Sequence, residues 1–265
     1  MQNFDVSVSV SAKKVTAVLG AIIAGLILLG GLSLSVKTFT QYENALGIVP
    51  LFDLDSENSI PAYFSSFNLA VAAGLLFLIY LHAKAGKSKF QLPWLFLALI
   101  FLALSIDETV AIHELFAYLI INKYLSVSGP GQYAWAIMGS ITVLVFLVLY
   151  GRFIFHLPLK TRIYFFVAGA VYIMGALGME AVGGYLSVKD SPFYGLEVMV
   201  EEGLEMLGIW LFIKALLNYI ETYLVTSGGA IFRPMKETLA TPKLAVHRTL
   251  PVNQEANLGL EEVGQ

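Results

Sequence analysis

Six long apolar stretches dominate the pattern of hydrophobic and polar positions along this chain. Each is about as long as the roughly 20 helical residues that cross a bilayer, and polar or charged turns separate them. The stretches are 15–36, 62–82, 91–122, 134–155, 163–187 and 194–224. The pattern predicts an all-α polytopic membrane protein, built as a six-helix transmembrane bundle.

The first stretch follows Lys13 and Lys14, as the core of a signal peptide would. Its apolar run is too long for a signal peptide and no small-residue cleavage motif follows it, so we expect a retained helix. The predicted organisation is a cytoplasmic N-terminal segment (1–14), the bundle (15–225) and a cytoplasmic tail (226–265). We predict that the tail is disordered, because it is polar, broken by Gly and Pro, and has no helical period.

Composition supports a membrane protein and removes several classes of site. Hydrophobic residues make up 57% of the chain and charged residues 13%, whereas soluble domains have about 45–50% and about 25%. The chain has no cysteine, which excludes disulfides, thiolate metal sites and cysteine nucleophiles. The sequence has no glycine-rich phosphate loop and no nucleic-acid-binding signature.

The basic residues are distributed unequally between the two sides of the predicted bundle. Twelve lie in the N-terminal segment, the second and fourth loops and the tail, and only Lys37, Lys123 and Lys189 lie on the opposite side. Cytoplasmic loops are enriched in Lys and Arg. We therefore expect both termini in the cytoplasm and the opposite side of the bundle facing the periplasm or the extracellular space.

The acidic residues show the reverse distribution. Thirteen of the 19 acids fall on the outward-facing side. Asp107 lies 16 residues after Gln91, roughly 24 Å along its helix at about 1.5 Å per residue. Glu180 and Glu201 reach a similar level on the fifth and sixth predicted helices. Three helices therefore bring carboxylates to one layer.

These acids are candidate metal ligands. Like charges at this spacing repel, and an uncompensated carboxylate at membrane depth is costly, so a proton, a bound cation or water must offset the charge. Oxygen-rich ligation favours a hard divalent ion, Ca²⁺, Mg²⁺ or Mn²⁺, with Fe or Zn as further candidates. The predicted ligands are Asp107, Glu108, His113, Glu114, Glu180, Glu201, Glu202 and Glu205. The outer loop could contribute three alternating acids, Asp53, Asp55 and Glu57.

Several motifs resemble an uncharacterised family of bacterial multi-pass membrane proteins. They are Phe52-Asp53-Leu54-Asp55-Ser56-Glu57, Ser105-Ile106-Asp107-Glu108 followed by His113-Glu114, Gly178-Met179-Glu180, and Glu201-Glu202-Gly203-Leu204-Glu205-Met206-Leu207-Gly208. The resemblance covers the bundle without the tail. It implies that the acidic residues form the defining site of the family, and it supplies no activity.

Known catalytic motifs are incomplete in this chain. The zinc-protease motif needs a second His three residues after Glu114, where Ala117 stands. Intramembrane proteases of the CAAX type have an Arg four residues after the second Glu, where Met206 stands. A di-iron bundle site uses two Glu-x-x-His pairs, and His113 is the only outer-layer histidine. No catalytic residue, substrate or organic cofactor can be assigned.

Three hypotheses therefore remain. The first is a divalent cation site, either structural or supporting chemistry at the outer leaflet. The second is a non-catalytic subunit of a larger membrane complex, in which the acids face a partner subunit or the bundle holds a lipid or pigment. The third is a proton or cation transporter, which the apolar inner half of the bundle disfavours.

Overall fold

The computed structural model describes residues 11–40, 42, 44–113, 115, 132–188 and 191–224. Every regular element in these ranges is a helix. The six long helices are α1 (Ala12–Thr40), α2 (Ile60–Ala85), α3 (Gln91–Val110), α4 (Gln132–His156), α5 (159–188) and α6 (194–224). Each contains a segment long and apolar enough to cross a membrane, which confirms the predicted helical class and the six spans.

Two of these helices contain a π-helical turn. α5 consists of Leu159–Ile173, the π-helical turn Met174–Met179, and Glu180–Val188. α6 runs as a regular helix over Tyr194–Tyr219 and finishes in a second π-helical turn. Two short helical turns, Ala45–Gly47 and Ile48–Leu51, lie between α1 and α2.

The helix ends follow local chemistry. The Ser59 hydroxyl accepts a hydrogen bond from the backbone N–H of Ala62 (3.3 Å) and so caps the start of α2. Pro61 stands in the first turn, where its missing N–H costs nothing. Gly86 follows the last turn of the helix. The predicted stretch 62–82 is thus extended by a few residues at each end.

The prediction that one helix continues unbroken through 91–122 is wrong. α3 ends at Val110, because Ala111 has a left-handed backbone (φ 50°). The Asp107 carboxylate accepts hydrogen bonds from the backbone N–H of His113 (2.9 Å) and pairs with its ring Nδ1 (3.0 Å). These bonds stabilise the turn. Glu114, one of the predicted ligands, lies outside the described residues.

α6 is the central helix, packing against α1, α2 and α5. Its residues Ile209, Phe212, Ile213 and Leu216 form the core together with a buried stripe of α2. The indole N–H of Trp210 donates to the carbonyl of Thr16 on α1 (2.7 Å). α2 and α3 form a closely packed hairpin, and α4 contacts α5.

The two ends of the bundle differ in charge. We call the end with the start of α6 and the loop before α2 the acidic end, and the end with the α2–α3 and α4–α5 loops the basic end. Most of the predicted N-terminal segment and the whole 226–265 tail lie outside the described residues.

Candidate functional site

Two glycines bring the backbones of α5 and α6 into direct contact. A Cβ added to Gly175 would lie 2.8 Å from the carbonyl oxygen of Glu201, and one added to Gly208 would lie 2.7 Å from the backbone nitrogen of Tyr172. Neither backbone atom can move aside as a flexible side chain would. The two helices therefore approach closely at the level where α6 carries its glutamates.

The π-helical turn of α5 lies directly before Glu180. A π-helical turn fits one extra residue into a turn of an α-helix, and such turns are frequent at functional sites. Gly175 belongs to this turn, so the irregular backbone coincides with the closest approach to α6.

Three carboxyl groups meet between these helices, and we call Glu180, Glu197 and Glu201 the α5/α6 carboxyl cluster. The carboxyl group of Glu201 lies within hydrogen-bonding distance of the carboxyl groups of both Glu180 and Glu197. Glu197 is only 4% exposed. Apart from the Glu201 carboxyl group, no hydrogen-bond partner among the described residues reaches its oxygens. None of the three forms an ion pair with a basic residue in the part of the chain that the structure describes.

Glycine also makes room for the most buried of these acids. A Cβ added to Gly183 of α5 would lie 2.5 Å from Oε2 of Glu197. Any other residue at position 183 would displace the carboxyl group. The sequence therefore holds Glu197 against the α5 backbone.

A second group of acids lies beside the first, and we call Glu57, Glu108, Glu202 and Glu205 the α3/α6 carboxyl cluster. The negative charges of Glu108 and Glu57 act on the Glu202 carboxyl group. Those of Glu202 and Glu108 act on Glu205. The Tyr172 hydroxyl lies beside the Glu205 carboxyl group. Glu205 also senses Glu201 and Glu180, so the two clusters are electrostatically connected.

The outer loop is attached to the acidic end by structural contacts. Leu54 is buried against Gly30 of α1, and Asp53 pairs with Lys37 (3.2 Å). The Tyr194 hydroxyl at the start of α6 donates to Asp55 (2.8 Å). Asp53 and Asp55 hold the loop in place, and the charges of Asp55 and Glu57 both act on glutamates of α6.

A family comparison adds to this geometry. The model of a family described as a domain of unknown function, DUF8692, matches residues 16–219. This chain belongs to the DUF8692 family. No curated protein and no solved structure matches it. The expectation of an uncharacterised family is thus confirmed, and the matched DUF8692 range contains both carboxyl clusters.

The structure separates the predicted site residues of this DUF8692 chain into groups. Glu180 and Glu201 lie in one carboxyl cluster, and Glu108, Glu202, Glu205 and the loop residue Glu57 lie in the other. Asp107 and His113 pair with each other at the end of α3. In the part of the chain that the structure describes, no three His, Asp or Glu side chains are arranged as a metal-binding group.

Three further residues join the site, although they were not among the predicted ligands. Glu197 has a sequence signal, because it lies four residues before Glu201 and so on the same helix face. Tyr172 and Tyr194 have no such signal, since tyrosine is common in membrane helices and only the fold brings their hydroxyls to the acids.

Proposed function

We propose that the acidic end of the bundle is a binding site for a divalent cation, which exchanges with protons. The observation that carries this proposal is the α5/α6 carboxyl cluster, with three contiguous carboxyl groups, one of them buried, and no base paired with them among the described residues. Two neighbouring carboxyl groups remain together at low cost only if they share a proton or a cation lies between them.

The proton-shared arrangement accounts for the absence of a preformed metal group among the described side chains. In the cation-free protein, neighbouring carboxyl groups would share protons in hydrogen bonds between them. A divalent cation would displace these protons, and the side chains of Glu180 and Glu201 would rotate to direct oxygens at it. Oxygen ligation favours Ca²⁺, Mg²⁺ or Mn²⁺ over Fe or Zn, since the His113 ring is already paired with Asp107.

The packing between the carboxyl clusters and the basic end supports a binding site rather than a transport path. Toward the basic end, α6 continues with Ile209, Phe212, Ile213 and Leu216, all buried in the apolar core. A transport path would need polar groups or water along this length. In the proposed orientation the basic end is cytoplasmic and the carboxyl clusters face the outside of a bacterial inner membrane.

The test is a titration of detergent-purified protein with Mn²⁺. Binding is measured as the loss of the free-ion signal in electron paramagnetic resonance. Wild type should remove Mn²⁺ stoichiometrically, and Glu180→Gln/Glu201→Gln should weaken binding at least about tenfold, since it removes two anionic ligands. Elemental mass spectrometry of protein prepared without chelator would identify a retained native ion.

Glu221→Gln is the matched control, because Glu221 is exposed near the opposite end of α6. It should bind Mn²⁺ as wild type does. Equal Mn²⁺ binding by wild type and the double variant would show that these acids are not the ligands. No binding by wild type would contradict the cation site altogether.

A further inference from the structure

An apolar groove separates α3 from α4 on the side of the bundle away from the carboxyl clusters. Its volume is about 610 Å³. One wall is the α3 face from Leu92 to Ala103, and the other is formed by Leu149, Tyr150 and Phe153 of α4. The helices meet at the basic end, where the ring of Trp94 packs edge-on against Phe153 with 4.8 Å between centroids.

The length of the groove matches one leaflet of a bilayer. Leu92 and Ala103 are 11 residues apart, or roughly 17 Å at about 1.5 Å per residue. The hydrocarbon core of a bilayer is about 30 Å thick, so one leaflet contributes about half of that. The groove begins at the first turn of α3, so it spans the leaflet at the basic end.

Basic residues lie in both loops at the end of the bundle where this groove begins. The loop 86–90 has Lys87 and Lys89, the segment 151–162 has Arg152, Lys160 and Arg162, and neither contains an acid. Lys89 Nζ lies 5.3 Å from the ring of Phe90, which packs against Phe153 in the groove wall. Arg152 is exposed and directly precedes Phe153. Within the described ranges, neither Lys89 nor Arg152 forms a salt bridge.

We propose that this groove binds one anionic phospholipid from the leaflet at the basic end. An acyl chain lies between α3 and α4, and Lys89 and Arg152 contact the phosphate. The charge at the mouth of the groove selects this occupant. A zwitterionic lipid would gain the same apolar contact but less from two unpaired cations, and basic groups beside membrane helices attract anionic headgroups.

Native mass spectrometry of the protein released from nanodiscs containing equal amounts of phosphatidylcholine and phosphatidylglycerol tests this site. Wild type should retain one phosphatidylglycerol in preference to phosphatidylcholine. Lys89→Gln/Arg152→Gln should reduce that preference about tenfold or more. The matched control is Lys13→Gln/Lys14→Gln, which removes two exposed charges at the start of α1 and should leave the preference unchanged.

A second variant tests the groove itself. Ala103→Phe places a ring at the exposed far end of the α3 wall, so it should reduce lipid retention without altering the charge. Size-exclusion profiles identical to wild type would show that each variant is folded. Equal retention of both lipids by wild type, loss of selectivity in the α1 control, or a lipid-free dimer in place of the lipid adduct would each overturn the proposal.

Discussion

At the scale of single residues, Glu197 illustrates why the carboxyl clusters need a counter-charge. Its carboxyl group is buried, and the polar group beside it is another carboxyl. Two unit charges about 4 Å apart repel by about 4 kcal/mol at an effective dielectric constant of about 20. The whole free energy of unfolding of a domain is about 5–15 kcal/mol. A fully ionised cluster would therefore consume a large part of the stability.

Removing this one charge should stabilise the cation-free protein. Glu197→Gln keeps the size of the side chain and removes a carboxylate that neighbouring acids repel. We expect Tm in chelator to rise by about 2–4 °C, equivalent to about 1 kcal/mol for a chain of this size. Saturating Mn²⁺ should reduce the difference, because a bound ligand stabilises the wild type.

Glu221→Gln again serves as the control and should change Tm by less than about 1 °C, since the side chain is exposed. A lower Tm for Glu197→Gln in chelator would contradict the argument. It would mean that the buried acid contributes to stability as an acid.

At the scale of helices, the contact between α5 and α6 determines where the acids meet. Gly175 and Gly208 each pack against the backbone of the opposite helix. These reciprocal contacts set the distance between the helices and so the distance between Glu180 and Glu201. The carboxyl cluster thus depends on two residues without side chains.

A methyl group at this contact should separate the helices. Gly208→Ala would place a Cβ 2.7 Å from backbone and Cβ atoms of Tyr172, and overpacking of this kind costs about 1–3 kcal/mol. We expect Tm to fall by about 3–9 °C and Mn²⁺ affinity to fall with it. Thermal denaturation in detergent, followed by circular dichroism, measures the first effect.

Gly169→Ala provides the matched substitution within α5, because nothing lies within 4 Å of its added Cβ. This variant should be neutral or slightly stabilised, since alanine favours helix over glycine by about 1 kcal/mol. If both alanine variants had the same Tm, the close contact at Gly208 would not matter for stability.

Sequence patterns reveal the helices but not their irregularities. Hydropathy marks all six spans, because crossing a bilayer requires length and apolar composition together. The end of α3 has no hydropathy signal, since alanine usually favours helix and Ala111 takes a left-handed backbone beside the Asp107–His113 pair. The π-helical turn likewise depends on packing against α6, which residue spacing alone does not show.

The acidic layer was predictable for a similar reason, while its division into two clusters was not. Counting residues along straight helices places Glu180 and Glu201 at one level. It cannot show that Asp107 pairs with His113. Nor can it show that Asp53 holds the loop through Lys37 and Asp55 through Tyr194. These pairings depend on how the helices rotate and where the loop docks.

At the scale of the whole molecule, the opposite charges of the two ends predict its orientation in the membrane. The chain lacks cysteine, so a single introduced thiol reports its own location. In intact cells, a membrane-impermeant maleimide should label Asn58→Cys at the acidic end. It should label Lys160→Cys at the basic end only after the membrane is permeabilised. Both positions are exposed, and the reverse pattern would invert the proposed topology.

The π-helical turn of α5 also affects how this protein can change by insertion and deletion. The wide turn already absorbs one extra residue, so deleting one residue from Met174–Met179 would restore a regular helix and leave Glu180 to Val188 on their present faces. The regular part of α6 has no such reserve, and deleting one residue between Glu205 and Gly208 would rotate Glu197 and Glu201 by about 100° relative to Gly208. A one-codon deletion in α6 would thus dismantle the α5/α6 carboxyl cluster while leaving every acidic residue in the gene, whereas α5 could lose a residue and keep its part of the cluster.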